Sequence, residues 1–259
     1  PMKKVVYFTM KVPAHWPDKK GGNAMKNMHI RGLLFAALIL AMTVLAGCSR
    51  KPEAAPDQVA EALFELLFKD DTAPMQEILG GASEEDVRRD FFGGDGGASV
   101  ARQIQSEMEA LGPVLTEEEA RNLYDGIREV LGRLDFSASL VSEEDGRAVV
   151  SAQIGYYGMD AVTDVLTEAV GEALNEYGQE NLVSDEAYNE FMKLYFNKFV
   201  ESLGTLTPAD GTREVTVEFE IVDVEINGER IAAWMPVDAQ KFGTDLTAAA
   251  LAFGDIKEE

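Results

Sequence analysis

Two short reversals govern what this chain can fold into. Asp145-Gly146 separates two alternating runs, Leu134, Phe136, Ala138 and Leu140 before it and Ala148, Val150, Ala152, Ile154 and Tyr156 after it. Asn227-Gly228 separates Val215–Ile226 from Glu229–Pro236. Apolar residues at every second position mark strands with one buried face, and Asp-Gly and Asn-Gly tolerate the positive φ of a two-residue turn. Both pairs are therefore expected to be antiparallel hairpins, which excludes a sheet built from alternating parallel β-α-β units. In the long third run the parity changes: Val215, Val217, Phe219 and Ile221 alternate, but Val222, Val224 and Ile226 fall on the opposite side. Either both faces are covered there or a bulge shifts the register near Ile221.

Helical spacing surrounds the hairpins. Val59, Ala62, Leu63 and Leu66 share a face over about 57–69; Val100, Ile104, Met108 and Leu111 share another; Leu123, Ile127, Val130 and Leu131 follow Thr116. A helix over about 160–177 is expected to bury Val162, Val165, Leu166, Ala169, Val170 and Leu174. One over 185–203 carries Tyr188, Phe191, Tyr195 and Phe199, and a last spans about 238–252. Helices then hairpin, twice, predict an α+β domain over 57–254, with helices packed on one face of an antiparallel sheet of about four strands. That layout, with hairpin runs such as Glu229-Arg230-Ile231-Ala232-Ala233-Trp234, resembles uncharacterised lipoproteins of Gram-positive bacteria with a cystatin-like or nuclear-transport-factor-like cone. The resemblance covers most of residues 57–253 and implies a cone-like shape, but brings no catalytic motif.

The first fifty residues point outside the cell. Gly32–Ser49 carries no charge, is preceded by Lys26 and Arg31, and contains the apolar core Leu33–Leu45. This is the layout of a bacterial export signal, too short for a permanent span of about 20 apolar residues. At its end Leu45-Ala46-Gly47-Cys48 resembles the lipobox of bacterial lipoproteins at every position. The resemblance implies a diacylglyceryl group on the Cys48 sulfur and cleavage between Gly47 and Cys48 by signal peptidase II. It makes 25–47 the signal peptide, 48–56 a tether, and the outer face of the bacterial membrane the destination. Lys20-Gly21-Gly22 can be encoded as AAA GGA GGT, a ribosome-pairing sequence, so synthesis is expected to start at Met25 with 1–24 as leader.

Cleavage before Cys48 removes His15 and His29, every histidine in the chain, and commits the single cysteine to lipid. Catalysis by Ser-His-Asp or Cys-His then has no imidazole, and soft-metal and haem sites lack their usual ligands. The whole chain carries 46 Asp+Glu against 23 Lys+Arg, and the exported part 45 against 16, a net charge of −29. So acidic a surface repels nucleic acid rather than binding it. No cofactor or metal site is expected. The expected partners are the membrane, through Cys48, and an unidentified extracellular ligand or protein.

Candidate sites have plainer readings beside them. Thr116-Glu117-Glu118-Glu119, Ser83-Glu84-Glu85-Asp86 and Ser184-Asp185-Glu186 read as helix caps rather than acidic metal clusters. Gly93-Gly94-Asp95-Gly96-Gly97 lacks the Lys-Ser/Thr of a phosphate loop and reads as a loop between helices. Tyr188, Phe191, Tyr195, Phe196 and Phe199 read as core before they read as a ligand groove, and Trp234 reads as a packing residue. The leading expectation is a non-catalytic binding domain. The alternative is a carboxylate-dependent hydrolase of wall or environmental polysaccharide, which needs two carboxylates facing across a cleft. An importer's substrate-binding component fits less well, because it calls for two α/β lobes.

Overall fold

The computed structural model describes residues 51–92, 98–111, 114–226 and 229–251. The leader 1–24, the signal stretch 25–47 with Gly47, Cys48, the Gly93–Gly97 run and the Asn227-Gly228 turn lie outside the described residues. The order is α1 (Pro56–Phe68), α2 (Ala73–Ile78), α3 (Glu84–Phe92), α4 (Ala98–Leu111), α5 (Glu117–Gly132), β1 (Phe136–Glu144), β2 (Arg147–Gly155), α6 (Met159–Tyr177), α7 (Asp185–Leu203), β3 (Thr212–Ile226), β4 (Glu229–Pro236) and α8 (Ala239–Ala250). The class is α+β: helices packed with one four-stranded antiparallel sheet, in the order β1-β2-β3-β4.

The first hairpin turns where Asp145 (φ 50°) and Gly146 (φ 76°) both enter the left-handed region, the geometry that matches strand twist. Ala148, Val150, Ala152 and Ile154 on β2 and Val215, Val217 and Phe219 on β3 are buried on one face. Two helices cover that face. Phe64 of α1 stacks on Phe136 at 4.4 Å, and Phe242 of α8 meets Phe219 edge-on at 6.4 Å. A bulge does occur, but on β1: the register shifts between Leu140 and Ser142, leaving Val141 as the extra residue.

The third strand resolves its own ambiguity. Pairing runs without a shift from Phe219↔Pro236 to Ile226↔Glu229, so the parity change is not a bulge. Val222, Val224 and Ile226 are buried on the face opposite Phe219, while Trp234 is buried at 2% exposure on the Phe219 side. Both faces of the second hairpin are thus covered, where helices on one face were expected. Part of that second cover is the turn after α2, since a Cβ on Gly80 would lie 3.5 Å from Ile231 Cδ1.

The remaining helices form a layer of their own. α4 packs on α5, α5 on α7 and α7 on α6, and none of the four makes more than marginal contact with the sheet. α5 and α7 come close at Gly126, where a Cβ would fall 2.6 Å from Val200 Cγ1. This layer meets the sheet at the end where β1 begins. The Tyr157 hydroxyl, just past β2, donates to the Val130 carbonyl at 2.7 Å, and beside it, between the ends of α5 and α7, Arg133 Nη1 donates to the Gly204 carbonyl at 3.0 Å. On α6, Val162, Val165, Ala169 and Ala173 are buried, but Leu166, Val170 and Leu174 are only half-buried. A two-helix contact covers a narrower stripe than a sheet would, which is why the expected apolar face is only partly buried.

Candidate functional site

Over β1, β2 and the first part of β3, the sheet has one face that no described helix covers. Cross-strand partners share a face, so the registers of β1 with β2 and β2 with β3 define its rows. Ser137, Gln153 and Glu214 form the first; Ser139, Ser151 and Thr216 the second. Beyond the bulge come Ser142, Val149 and Glu218, then Glu144, Arg147 and Glu220. Each of these residues is exposed or half-buried. Eleven of the twelve are polar, and the period of two places them there while their neighbours fill the core.

The face is internally bonded but not saturated. Ser151 Oγ donates to Glu214 Oε1 at 2.7 Å, and Thr212 Oγ1 donates to Gln153 Oε1 at 3.0 Å at its lower margin. Arg147 lies 4.0 Å from Glu220. Four carboxylates against one guanidinium leave the face acidic, and a carboxylate with two oxygens retains acceptor capacity after one bond. Such a surface can accept hydrogen bonds from a polar or cationic partner. The hydrolase alternative finds little support on it. Glu218 and Glu220 stand two residues apart on β3, about 7 Å along the strand. One member of a hydrolytic pair must be kept protonated by burial, and Glu218 is exposed while Glu220 is only half-buried on an open face.

The residues singled out in the sequence are dispersed rather than convergent. Thr116 caps α5: its hydroxyl accepts the Glu119 N–H at 3.2 Å, and Glu119 Oε2 accepts the Thr116 N–H at 2.7 Å. Ser83 and Ser184 accept the Asp86 and Ala187 N–H groups in the same way, both at 3.1 Å. The Ser83 hydroxyl holds the Asp86 carboxyl below its usual range, with partial burial opposing and Arg89 assisting. Phe191, Phe196 and Phe199 are buried, Tyr195 is half-buried, and Tyr188 is exposed, so the aromatic row packs α7 instead of lining a groove. Burial pushes Tyr195 up to about 12. Among the described residues no group of three or more His, Cys, Asp or Glu could hold a metal ion.

One constellation escaped the sequence reading. Asp70, at φ 61° just after α1, accepts from Arg88 at 2.6 Å and lies 3.2 Å from Arg128. It ties α3 and α5 to the end of α1, and Arg128 lies over the Tyr124 ring. Nothing in a local pattern announces a contact between residues 18 and 58 positions apart. The node is half-exposed and bonded to its own arginines, which marks it as a fastening.

No family model matches the chain, and no curated protein matches it. Among solved structures it is similar to the crystal structure of a "putative lipoprotein", ycdA, from Bacillus subtilis, with a TM-score of 0.49 and 20% identity. The match covers 76% of this chain and 56% of that one, so the chain spans a little over half the length of its neighbour. Among the described residues no helix is long and apolar enough to cross a membrane.

Proposed function

We propose that this chain is a bacterial lipoprotein, anchored through Cys48 at the outer face of the cell membrane, whose α+β domain binds a polar or cationic partner without catalysis. The observation that supports the binding reading is the uncovered polar face of β1, β2 and β3, opposite the face that α1 and α8 pack. The anchor reading rests on the match of Leu45-Ala46-Gly47-Cys48 to a lipobox at the end of an uncharged export segment.

The two parts have separate tests. Cys48→Ala should release the protein from the membrane fraction or leave it as unprocessed precursor; unchanged size and fractionation would refute the anchor. In intact cells, a photo-crosslinking side chain at Thr216 should trap one defined, saturable partner, while the same group at Glu172 on α6 should not. Trapping at neither position in correctly anchored protein would remove the sheet face from consideration.

A further inference from the structure

We infer that the anchored domain sits with the β1–β2 turn against the bilayer and the α6–α7 hairpin pointing away from it. This rests on lipidation of Cys48, as proposed above. The lever is the length of free chain. Pro52 is already buried, Ala54 and Ala55 are half-buried, and Pro56 is the first residue of α1. A tether expected to run to residue 56 is therefore packed from Pro52 onward. The four residue steps from Cys48 to Pro52 reach about 14 Å at most. A domain on so short a leash keeps one end at the membrane.

Three contacts say which end. A Cβ on Gly132 would fall 2.5 Å from the Phe68 carbonyl, Phe136 stacks on Phe64, and the Ala138 N–H donates to Glu61 Oε1 at 3.1 Å. The chain from Gly132 to Ala138 thus runs antiparallel to α1 from Phe68 to Glu61. The start of α1 points the way β1 continues, toward Leu140, Val141 and the turn at Asp145-Gly146. Beyond Ala138, β1 extends six residues, about 20 Å. From Glu61 back to Pro56 the helix extends five residues, about 8 Å. The strand tip overshoots the helix start by about the reach of the tether, so a bilayer holding the lipid also meets the tip.

The chemistry of that end suits a shallow contact. Leu140 is 41% exposed and Val141, the bulge residue, 62% exposed, whereas the strand positions of β2 beside them are buried or half-buried. Glu143, Glu144 and Asp145 beyond them are repelled by anionic headgroups, so the contact with the bilayer interface is shallow and is closest on a neutral bilayer. At the opposite end of β1, α5 and α7 attach through Tyr157 and Arg133. Nineteen residues of α7, about 28 Å of helix, then carry the chain away to Val183, which is 84% exposed.

The test uses the full lipidated protein in phosphatidylcholine vesicles. Lipidated Cys48 is a thioether and takes no thiol dye, so E144C or V183C receives the label alone. Energy transfer to a headgroup acceptor is expected to be several-fold stronger from position 144 than from 183. A long Gly/Ser insertion between Arg50 and Lys51 should bring the two together. Equal transfer in the native-length, lipidated protein, or stronger transfer from 183, overturns the orientation while leaving the anchor intact. An intact mass lacking the lipid, in protein that does not bind vesicles, overturns the anchor and the orientation with it.

Discussion

The close contact of α5 with α7 allows a stability effect to be worked out in advance, including its change of sign. Gly126 lies inside α5, where glycine costs about 1 kcal/mol against alanine. On propensity alone Gly126→Ala should stabilise. The new Cβ, however, would stand 2.6 Å from Val200 Cγ1, 3.3 Å from Cγ2 and 3.5 Å from Cβ. Valine in a helix has essentially one χ1 rotamer, so Val200 cannot swing aside. Forcing one carbon into such a contact costs typically 1–3 kcal/mol, which leaves Gly126→Ala destabilising by about 1 kcal/mol. In a Val200→Ala background the two clashing methyl carbons are gone, the propensity gain survives alone, and the same substitution should stabilise by about 1 kcal/mol. The coupling is then about 2 kcal/mol, well above the scatter of additive pairs. Urea unfolding of the four proteins, followed by far-ultraviolet circular dichroism, closes the cycle. Stabilisation by Gly126→Ala in both backgrounds, with coupling near zero, would show that α5 and α7 do not touch here.

Four further outcomes follow from named contacts. Gly132→Ala should cost more than Gly126→Ala in the same unfolding assay, because its Cβ meets a backbone carbonyl, Phe68 O at 2.5 Å, that has no rotamer to give. Tyr157→Phe removes a buried hydroxyl–carbonyl bond to Val130 and should lower stability by about 1 kcal/mol. Tyr124, with burial outweighing the nearby Arg128, and Tyr195, with burial alone, are both pushed up to about 12. Folding favours their protonated forms, so this stabilisation is present below about pH 10 and is lost as pH rises through 12; ultraviolet difference titration should show both ionising late. Asp86 has the opposite sign: its depressed pKa contributes stability above the ordinary carboxylate range that is lost as pH falls through the folded value. Ser83→Ala should move its NMR titration upward.

The features that proved legible are those written in adjacent residues. Asp145-Gly146 names its turn by its own φ requirement, Thr116 and Glu119 name a cap three residues apart, and β1 to β4 follow from a period of two. The parity change at Ile221 was also visible, but choosing between its two causes needs a partner strand and a covering turn that local pattern does not contain. The same limit hid Asp70, whose arginines come from two other helices, and Gly126, whose role is defined by a valine on α7. It also hid the polar face as a site. Ser137, Ser151 and Thr216 are unremarkable in sequence and become a surface only when three strands lie in register with no helix above them. α2 was missed for a different reason: six residues are too few to show a period.

The proposed anchor has to be weighed together with charge, because an acidic domain held close to lipid would work against itself. With Cys48 lipidated as proposed, two acyl chains of about fifteen methylenes each would supply on the order of 20 kcal/mol at about 0.8 kcal/mol per buried CH₂. A charged residue at an anionic surface is worth about 1 kcal/mol, so Glu143, Glu144 and Asp145 at the β1–β2 turn oppose the anchor by a few kcal/mol and do not overcome it. The heavier load is the row Asp160, Asp164, Glu168, Glu172 and Glu176, five exposed carboxylates four residues apart along α6. Each neighbouring like-charged pair costs the helix about 0.2–0.5 kcal/mol, and Lys198, 3.2 Å from Glu176, relieves one end. Set beside the bilayer, that row would add several more unfavourable terms. In the proposed orientation it lies tens of ångströms outward, beyond the screening length of about 8 Å at physiological salt, where membrane charge no longer matters. The orientation proposed from the short tether is therefore also the one that would place the α6 row where it costs the proposed anchor nothing.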